Sequence, residues 1–221
     1  MLMSAYPLIL TNLASVRCVV IGGGSVAERK VAGLLAGSAR PTVISPTLTP
    51  QLVLWQAEDR LEWQPRVYVD GDLEQAFLVI AATNNRAVNA LVSAEGQRRG
   101  ILVNVGDAPG EGNFFTTATV RRGDLLISIS TGSASPALTA RIRREIEAHY
   151  GEEYRLVLEI LREVREGVAR SLPAEQRTAL LRQLVSDEAL AWAKAGEIKR
   201  VRQIVDMYTY ADGRPTTNDE P

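Results

Sequence analysis

Cysteine and histidine are almost missing from this sequence: its 221 residues include one of each, Cys18 and His149. One cysteine cannot close an intrachain disulfide, so a disulfide framework is excluded and a reducing compartment is expected. The same scarcity argues against a zinc site built from nitrogen and sulfur ligands. An excess of charge is lacking too, since 25 Lys and Arg stand against 26 Asp and Glu for a formal net charge of −1. That balance gives no overall field for nucleic acid or a membrane surface, and neither is expected as a partner. No apolar run approaches the roughly 20 residues of a membrane span. The opening MLMSAYPLILTNLASVR has no basic segment ahead of its short apolar patch, so no leader is expected and a cytoplasmic protein is. What remains is globular in balance, with 46% hydrophobic and 23% charged residues. The length suits one medium domain with a smaller companion.

The first half alternates short apolar runs with helical patterns. RCVVIGG, RPTVISP, FLVIAAT and ILVNVG read as strands, and SVAERKVAGLLAGS, TPQLVLWQAED and NNRAVNALVSAEGQRRG as helices between them. Such alternation signals βαβ units and a parallel sheet covered by helices, with five strands expected in the first 106 residues. After DAPGEGN the texture changes. FFTTATVRRGDLLISIS reads as a hairpin turning at Gly123, and SPALTARIRREIEAHYG as a helix capped by Ser135, with Pro136 in its first turn and a stop at Gly151. From Glu152 onward EEYRLVLEILREVREGVARSL, AEQRTALLRQLVSDEALAWAKAG and EIKRVRQIVDMYTY are helical, with Leu156, Ile160, Leu161 and Val164 marking one apolar face.

Gly22, Gly24 and Ala27 match G-x-G-x-x-G/A between a strand and a helix. In that motif the first glycine makes a tight turn, the second lets backbone approach a pyrophosphate, and the small third residue lets helix pack on strand. Helix N-terminal amides then meet the phosphates. The alternative is a tight turn with no ligand. The second strand ends in VISPTL, without the usual ribose-binding carboxylate and without an arginine for a 2′-phosphate, so Ser45 or Thr47 is the candidate ribose partner and NAD is preferred over NADP.

The series IGGGSVAERKV, AATNNRAVN, VNVGDAP and VRRGDLLISISTGSASPALTARIRREIE, in order and at compatible spacing over about residues 6 to 149, closely resembles the precorrin-2 dehydrogenase family, which includes the N-terminal module of siroheme synthase. The resemblance implies an α/β chain in three parts: a Rossmann-type NAD-binding domain over 1–112, a small αβ dimerisation unit over 113–150 and a helical region over 151–221. It implies NAD-dependent oxidation of precorrin-2 to sirohydrochlorin on the route to siroheme, and in some members insertion of ferrous iron into that product. It also implies a homodimer, with the tetrapyrrole lying between the second unit and the nucleotide domain. Carried over by position, cofactor contacts fall on Gly22, Gly24, Ser25, Val26, Ser45, Pro46, Thr47, Thr83 and Asn104, and the acidic residue of the NVxD motif is Asp107. Two positions depart from the family pattern: Thr131 stands where some members have a second serine, and Thr117 where relatives usually have proline.

Asp107 follows an apolar strand at the carboxyl edge of the sheet, where ligands of doubly wound folds bind. On spacing alone it serves equally well as a cap of the DAPG turn; the resemblance favours chemistry, with the carboxylate as general base for the proton lost alongside the hydride. A substrate rich in carboxylates calls for arginine forks, and Thr131 with Arg121, Arg122 and Arg141 are the substrate candidates, Arg143 and Arg144 standing nearby. Glu145 and Glu147 are close enough to pair with these arginines instead. Lys30 is expected to face solvent or the strand-two loop, His149 to sit solvated at a helix end, and Trp55, Trp63 and Trp192 to serve core or interface. A competing reading is an NAD-sensing regulatory module without catalysis. NVGDAP and STGSASPA discriminate, because a sensor gives no reason for an acidic residue at that edge.

Overall fold

In this computed structural model, which describes residues 5–106, 108–132 and 134–210, the apolar run Cys18 to Ile21 lies in β1 (Arg17–Ile21) with all four side chains buried. A strand covered on both faces has no polar side to alternate with, hence the continuous run. β2 (Thr42–Ile44), β3 (Glu62–Gln64), β4 (Ala76–Ala81) and β5 (Leu102–Val105) complete a parallel five-stranded sheet in the order β3-β2-β1-β4-β5. Alternate residues sort into two layers. Cys18, Val20, Val43, Leu78 and Ile80 pack with α1 (Ser25–Ala36) and α2 (Pro50–Ala57). Val19, Ile21, Ile44, Val79, Val103 and Val105 share the opposite core with Val92 of α3 (Arg86–Arg99). The architecture is the expected Rossmann-type α/β sheet.

Helix boundaries follow local chemistry. Thr49 Oγ1 accepts from the Leu52 N–H (3.3 Å) ahead of Pro50 to start α2, and Asn85 Oδ1 accepts from Ala87 and Val88 to start α3. β3 carries no apolar run: Trp63 pairs with Val43 at the sheet edge, and its indole N–H donates to the Ser45 carbonyl at 2.9 Å. The segment returning from β3 to β4 is pinned by Glu95 of α3. Its fully buried carboxylate accepts from Gly71 N–H (3.1 Å), Leu73 N–H (3.3 Å), Arg99 Nε (2.6 Å) and the Tyr68 hydroxyl. Arg66 and Asp72 form a two-pronged pair, both bonds 2.7 Å, in the same segment.

The chain divides into two compact units, the described residues 5–116 forming one and 117–210 the other. In the second, β6 (Ala118–Arg122) and β7 (Leu125–Ile129) pair antiparallel around Gly123 and Asp124, with Gly123 at φ +57 as the turn requires. Ser135 Oγ accepts from the Leu138 N–H (3.2 Å) and Pro136 opens α4 (Pro136–His149), as expected. α5 (Glu153–Glu166), α6 (Ala174–Gln183), α7 (Asp187–Lys194) and α8 (Ile198–Tyr210) surround one core of Val157, Ile160, Val164, Leu180, Leu184 and Ile204 with their neighbours. The buried stripe of α5 runs through Val157, while Leu156 is half-buried. The stretch read as AEQRTALLRQLVSDEALAWAKAG breaks in two because Ser186, in extended conformation, accepts from the Ala189 N–H (3.2 Å) and starts a new helix, with Asp187 and Glu188 in its first turn.

Candidate functional site

Between β1 and β4 the strand order reverses: the chain leaves β1 for β2 and β3 on one side and returns to β4 and β5 on the other. Loops diverge at such a point and leave a crevice beyond the carboxyl ends of the strands. Three glycines make the turn there, each for a different reason. Gly22 has φ +118, and a Cβ on it would stand 2.4 Å from the Ala82 carbonyl oxygen. A Cβ on Gly23 would stand 1.9 Å from the Thr47 carbonyl oxygen, in a loop already tied down by the Thr49 N–H donating to Gly23 O at 3.0 Å. At Gly24 the backbone is ordinary extended chain (φ −88, ψ −173) and a Cβ would meet nothing within 4 Å. The fold therefore needs glycine at 22 and 23 and has no use for it at 24. Open space beside a helix start is what an approaching pyrophosphate requires.

Gly24 is also the N-cap of α1, and no side chain caps that helix, whereas side chains of Thr49, Asn85, Ser135 and Ser186 cap α2, α3, α4 and α7. The first-turn amides of exposed Ser25 and half-buried Val26 thus combine with the helix dipole as an anion cradle. Ala27, fully buried, fills the third motif position against the sheet. These residues fit a dinucleotide.

Neighbouring loops converge on the turn. Ser45 is buried and adjoins Gly23, its N–H donating to Gln64 O at 3.2 Å; Pro46 and Thr47 are exposed. Thr83, half-buried after β4, donates from its hydroxyl to Asn89 Oδ1 (2.7 Å) and accepts from the Asn85 N–H (3.1 Å), which fixes the loop beside Gly22. Asn104 of β5 is 3% exposed; its amide nitrogen donates to Phe114 O at 3.0 Å, and its Oδ1 has no partner among the described residues. A buried acceptor left unpaired costs about 1–3 kcal/mol, so this atom has a free lone pair for an incoming donor. Asp107, the predicted acid–base residue, and Ser133 of the serine-rich segment lie outside the described residues.

In the second unit, Thr131 Oγ1 accepts from the Ser135 N–H (3.2 Å) and lies 2.9 Å from Thr139 Oγ1. Arg121 is exposed. Arg122 is engaged internally, donating to the carbonyls of Arg121 (2.9 Å) and Glu147 (3.2 Å) and lying 3.5 Å from the Glu152 carboxylate. Arg141 pairs with Glu145 (2.8 Å) and Arg143 with Glu147 (2.7 Å), the i,i+4 pairing open from sequence; Arg144 is exposed. His149 ends α4 with its ring edge-on to Tyr150 at 5.0 Å. Trp55 and Trp63 pack on the sheet core and Trp192 on the helical core.

Sequence reasoning missed Lys30. It is half-buried, and its Nζ donates to Thr116 Oγ1 at 2.7 Å, on the β5 side of α1 and not toward the strand-two loop. Burial, and after it the neighbouring Arg29, hold its proton affinity below that of an ordinary lysine. The available signal was its i,i+4 spacing from Val26. Among the described residues no group of three or more His, Cys, Asp and Glu side chains could hold a metal, and no helix is long and apolar enough to cross a membrane.

A family model described as NAD(P)-binding matches residues 9–118, and one described as sirohaem biosynthesis protein central matches residues 122–149. A precorrin-2 dehydrogenase of Priestia megaterium is 31% identical over 181 residues, covering 81% of this chain and 89% of that protein. A siroheme synthase of Methylobacillus flagellatus is 39% identical over 160 residues, 72% of this chain and 34% of the relative, so the chain spans about a third of the length of that protein. Among solved structures, one named SirC, precorrin-2 dehydrogenase, superposes with a TM-score of 0.78 at 28% identity, covering 93% of this chain and all of that one.

Proposed function

The chain belongs to the precorrin-2 dehydrogenase family, and from that premise we propose that it oxidises precorrin-2 to sirohydrochlorin with NAD, in siroheme biosynthesis and in the cytoplasm. The observation that carries the reading is Gly24, a glycine the fold does not need, at a helix N-terminus that no side chain caps.

Bound NAD supplies the hydride acceptor. Gly22, Gly24 and the amides of Ser25 and Val26 would hold its pyrophosphate. Ser45, Pro46 and Thr47 border the ribose with neither carboxylate nor arginine, which suits NAD better than NADP. Thr83 and Asn104 would complete the cofactor contacts, with Asn104 Oδ1 an unpaired acceptor. Asp107 acts as general base and takes the proton released as the substrate gives up hydride, so substrate loses two hydrogens overall and NADH and one proton appear. Arg121, without a carboxylate partner among the described residues, is a candidate for substrate together with Thr131, Arg122 and Arg141, the last two arginines already holding internal partners.

Insertion of ferrous iron into the product is a second reading, favoured by the siroheme synthase relatives; iron enters as substrate, and the Asp107 carboxylate takes the two displaced pyrrole protons one after the other, passing each to solvent. We also infer a homodimer through the second unit. Its sheet has only two strands, and α4 buries none of its residues, with Leu138 48% exposed. A lone hairpin is marginal unless it packs further. The sensor reading finds no support among relatives named as dehydrogenase and synthase.

Asp107→Asn tests the chemistry. It keeps shape and hydrogen-bonding reach but cannot accept the proton, so NAD affinity should persist while precorrin-2 turnover falls by about 10²- to 10⁴-fold. A near wild-type rate would remove the base assignment, and loss of iron insertion alone would move the residue to metal delivery.

A further inference from the structure

Lys30 is a cation the cofactor site leaves unexplained. It lies one turn beyond Val26, whose Cγ1 is 3.6 Å from where a Cβ of Gly106 would stand, so this flank of α1 overlies the end of β5. Elsewhere in residues 5–116, Arg40, Arg60, Arg66, Arg86, Arg98 and Arg99 each meet a carboxylate. Arg17 donates to the Glu74 carbonyl, and Arg29 is exposed. Lys30 alone is a half-buried ammonium whose one partner among the described residues is a neutral hydroxyl. A half-buried ammonium held by one hydroxyl gains little stability from its charge.

The hydroxyl that holds Lys30 lies in a segment that β5 also holds. Thr116, which holds Lys30, is two residues from Phe114, whose carbonyl holds the Asn104 amide. Helix and strand thus grip one short strip beside the end of β5, and the helix does so with a cation that has donors to spare. The pyrophosphate is an inferior candidate for Lys30. The first-turn amides already serve it, Lys30 lies about 7.5 Å further along the helix axis, and Thr116 holds the ammonium on the β5 side.

Resting on the functional reading above, we propose that Lys30 binds a carboxylate side chain of the tetrapyrrole and thereby fixes which edge of the substrate meets the cofactor. Lys30→Met removes the charge and keeps the stem. It should raise the KM for precorrin-2, and the Kd for sirohydrochlorin followed by fluorescence quenching, about 10- to 100-fold. NAD affinity by calorimetry and the melting temperature should not fall, and Lys30→Arg should restore part of the loss. Thr116→Val, which keeps the charge and removes the tether, should leave tetrapyrrole affinity nearly unchanged. Unchanged tetrapyrrole affinity in Lys30→Met overturns the assignment. So does an equal loss of NAD affinity, which would give the cation to the pyrophosphate, or an equal loss in Thr116→Val, which would make it a tether. A wild-type protein that binds NAD but neither tetrapyrrole overturns the functional reading itself, and this assignment with it.

Discussion

Gly24→Asp separates folding from cofactor binding. A Cβ at this position meets nothing within 4 Å and the backbone lies where aspartate is at ease, so the native structure accepts the substitution without movement. Aspartate outranks glycine as an N-cap by a few tenths of a kcal/mol, and its charge beside the helix start adds about 0.3–1 kcal/mol. The melting temperature should therefore hold or rise by up to about 4 °C. The same carboxylate stands where the pyrophosphate comes. Two like charges about 4 Å apart at an effective dielectric near 20 repel by about 4 kcal/mol, on the order of a thousandfold in Kd. Isothermal calorimetry with NAD at near-physiological salt reads it directly, and Gly24→Asn, which caps without charge, isolates the electrostatic share. A folded Gly24→Asp variant with wild-type NAD affinity would refute the placement of the site.

Light scattering at micromolar concentration should give the mass of a dimer; a monomer would count against an interface built on β6, β7 and α4. Asp72 should make stability depend on acid. Burial pushes its carboxyl up, but the Arg66 fork and the Val69 N–H outweigh that and hold it below the usual carboxylate range. A depressed carboxyl stabilises the fold above the unfolded value near ~4 and loses that contribution as pH falls through the lower folded value. Asp72→Asn should therefore lower the denaturation midpoint at pH 7 by an amount worth about 1 kcal/mol, Arg66 being partly solvated, and the gap should close in acid. A gap that persists at pH 2 would show that the pair is not its source.

The glycine turn was legible because its requirement is local: strand, turn and helix lie within twenty residues. The runs behind β1, β2, β4 and β5 were legible because burial on both faces demands them. β3 gave no such run, since an edge strand of Glu-Trp-Gln is specified by its pairing to β2 and by the Trp63 indole bond. Glu95 was invisible for a similar reason: nothing in α3 marks its carboxylate as buried until the amides of Gly71 and Leu73 arrive from a distant segment. Lys30 belongs to the same class, and Asn104 was marked by the family resemblance alone and not by its pattern. Lys30 meets Thr116 across 86 residues, so helical periodicity registers it as a surface charge, while strand periodicity registers Asn104 as a polar break in an apolar run although Phe114 is only ten residues on.

NADH formation by the purified protein as precorrin-2 is added to an NAD-containing, oxygen-free solution tests the central claim most directly. NADH should form in proportion to the precorrin-2 supplied, with none formed when it is left out. A protein that binds NAD by calorimetry yet forms no NADH with precorrin-2 would contradict the account and return the chain to the reading of a sensor.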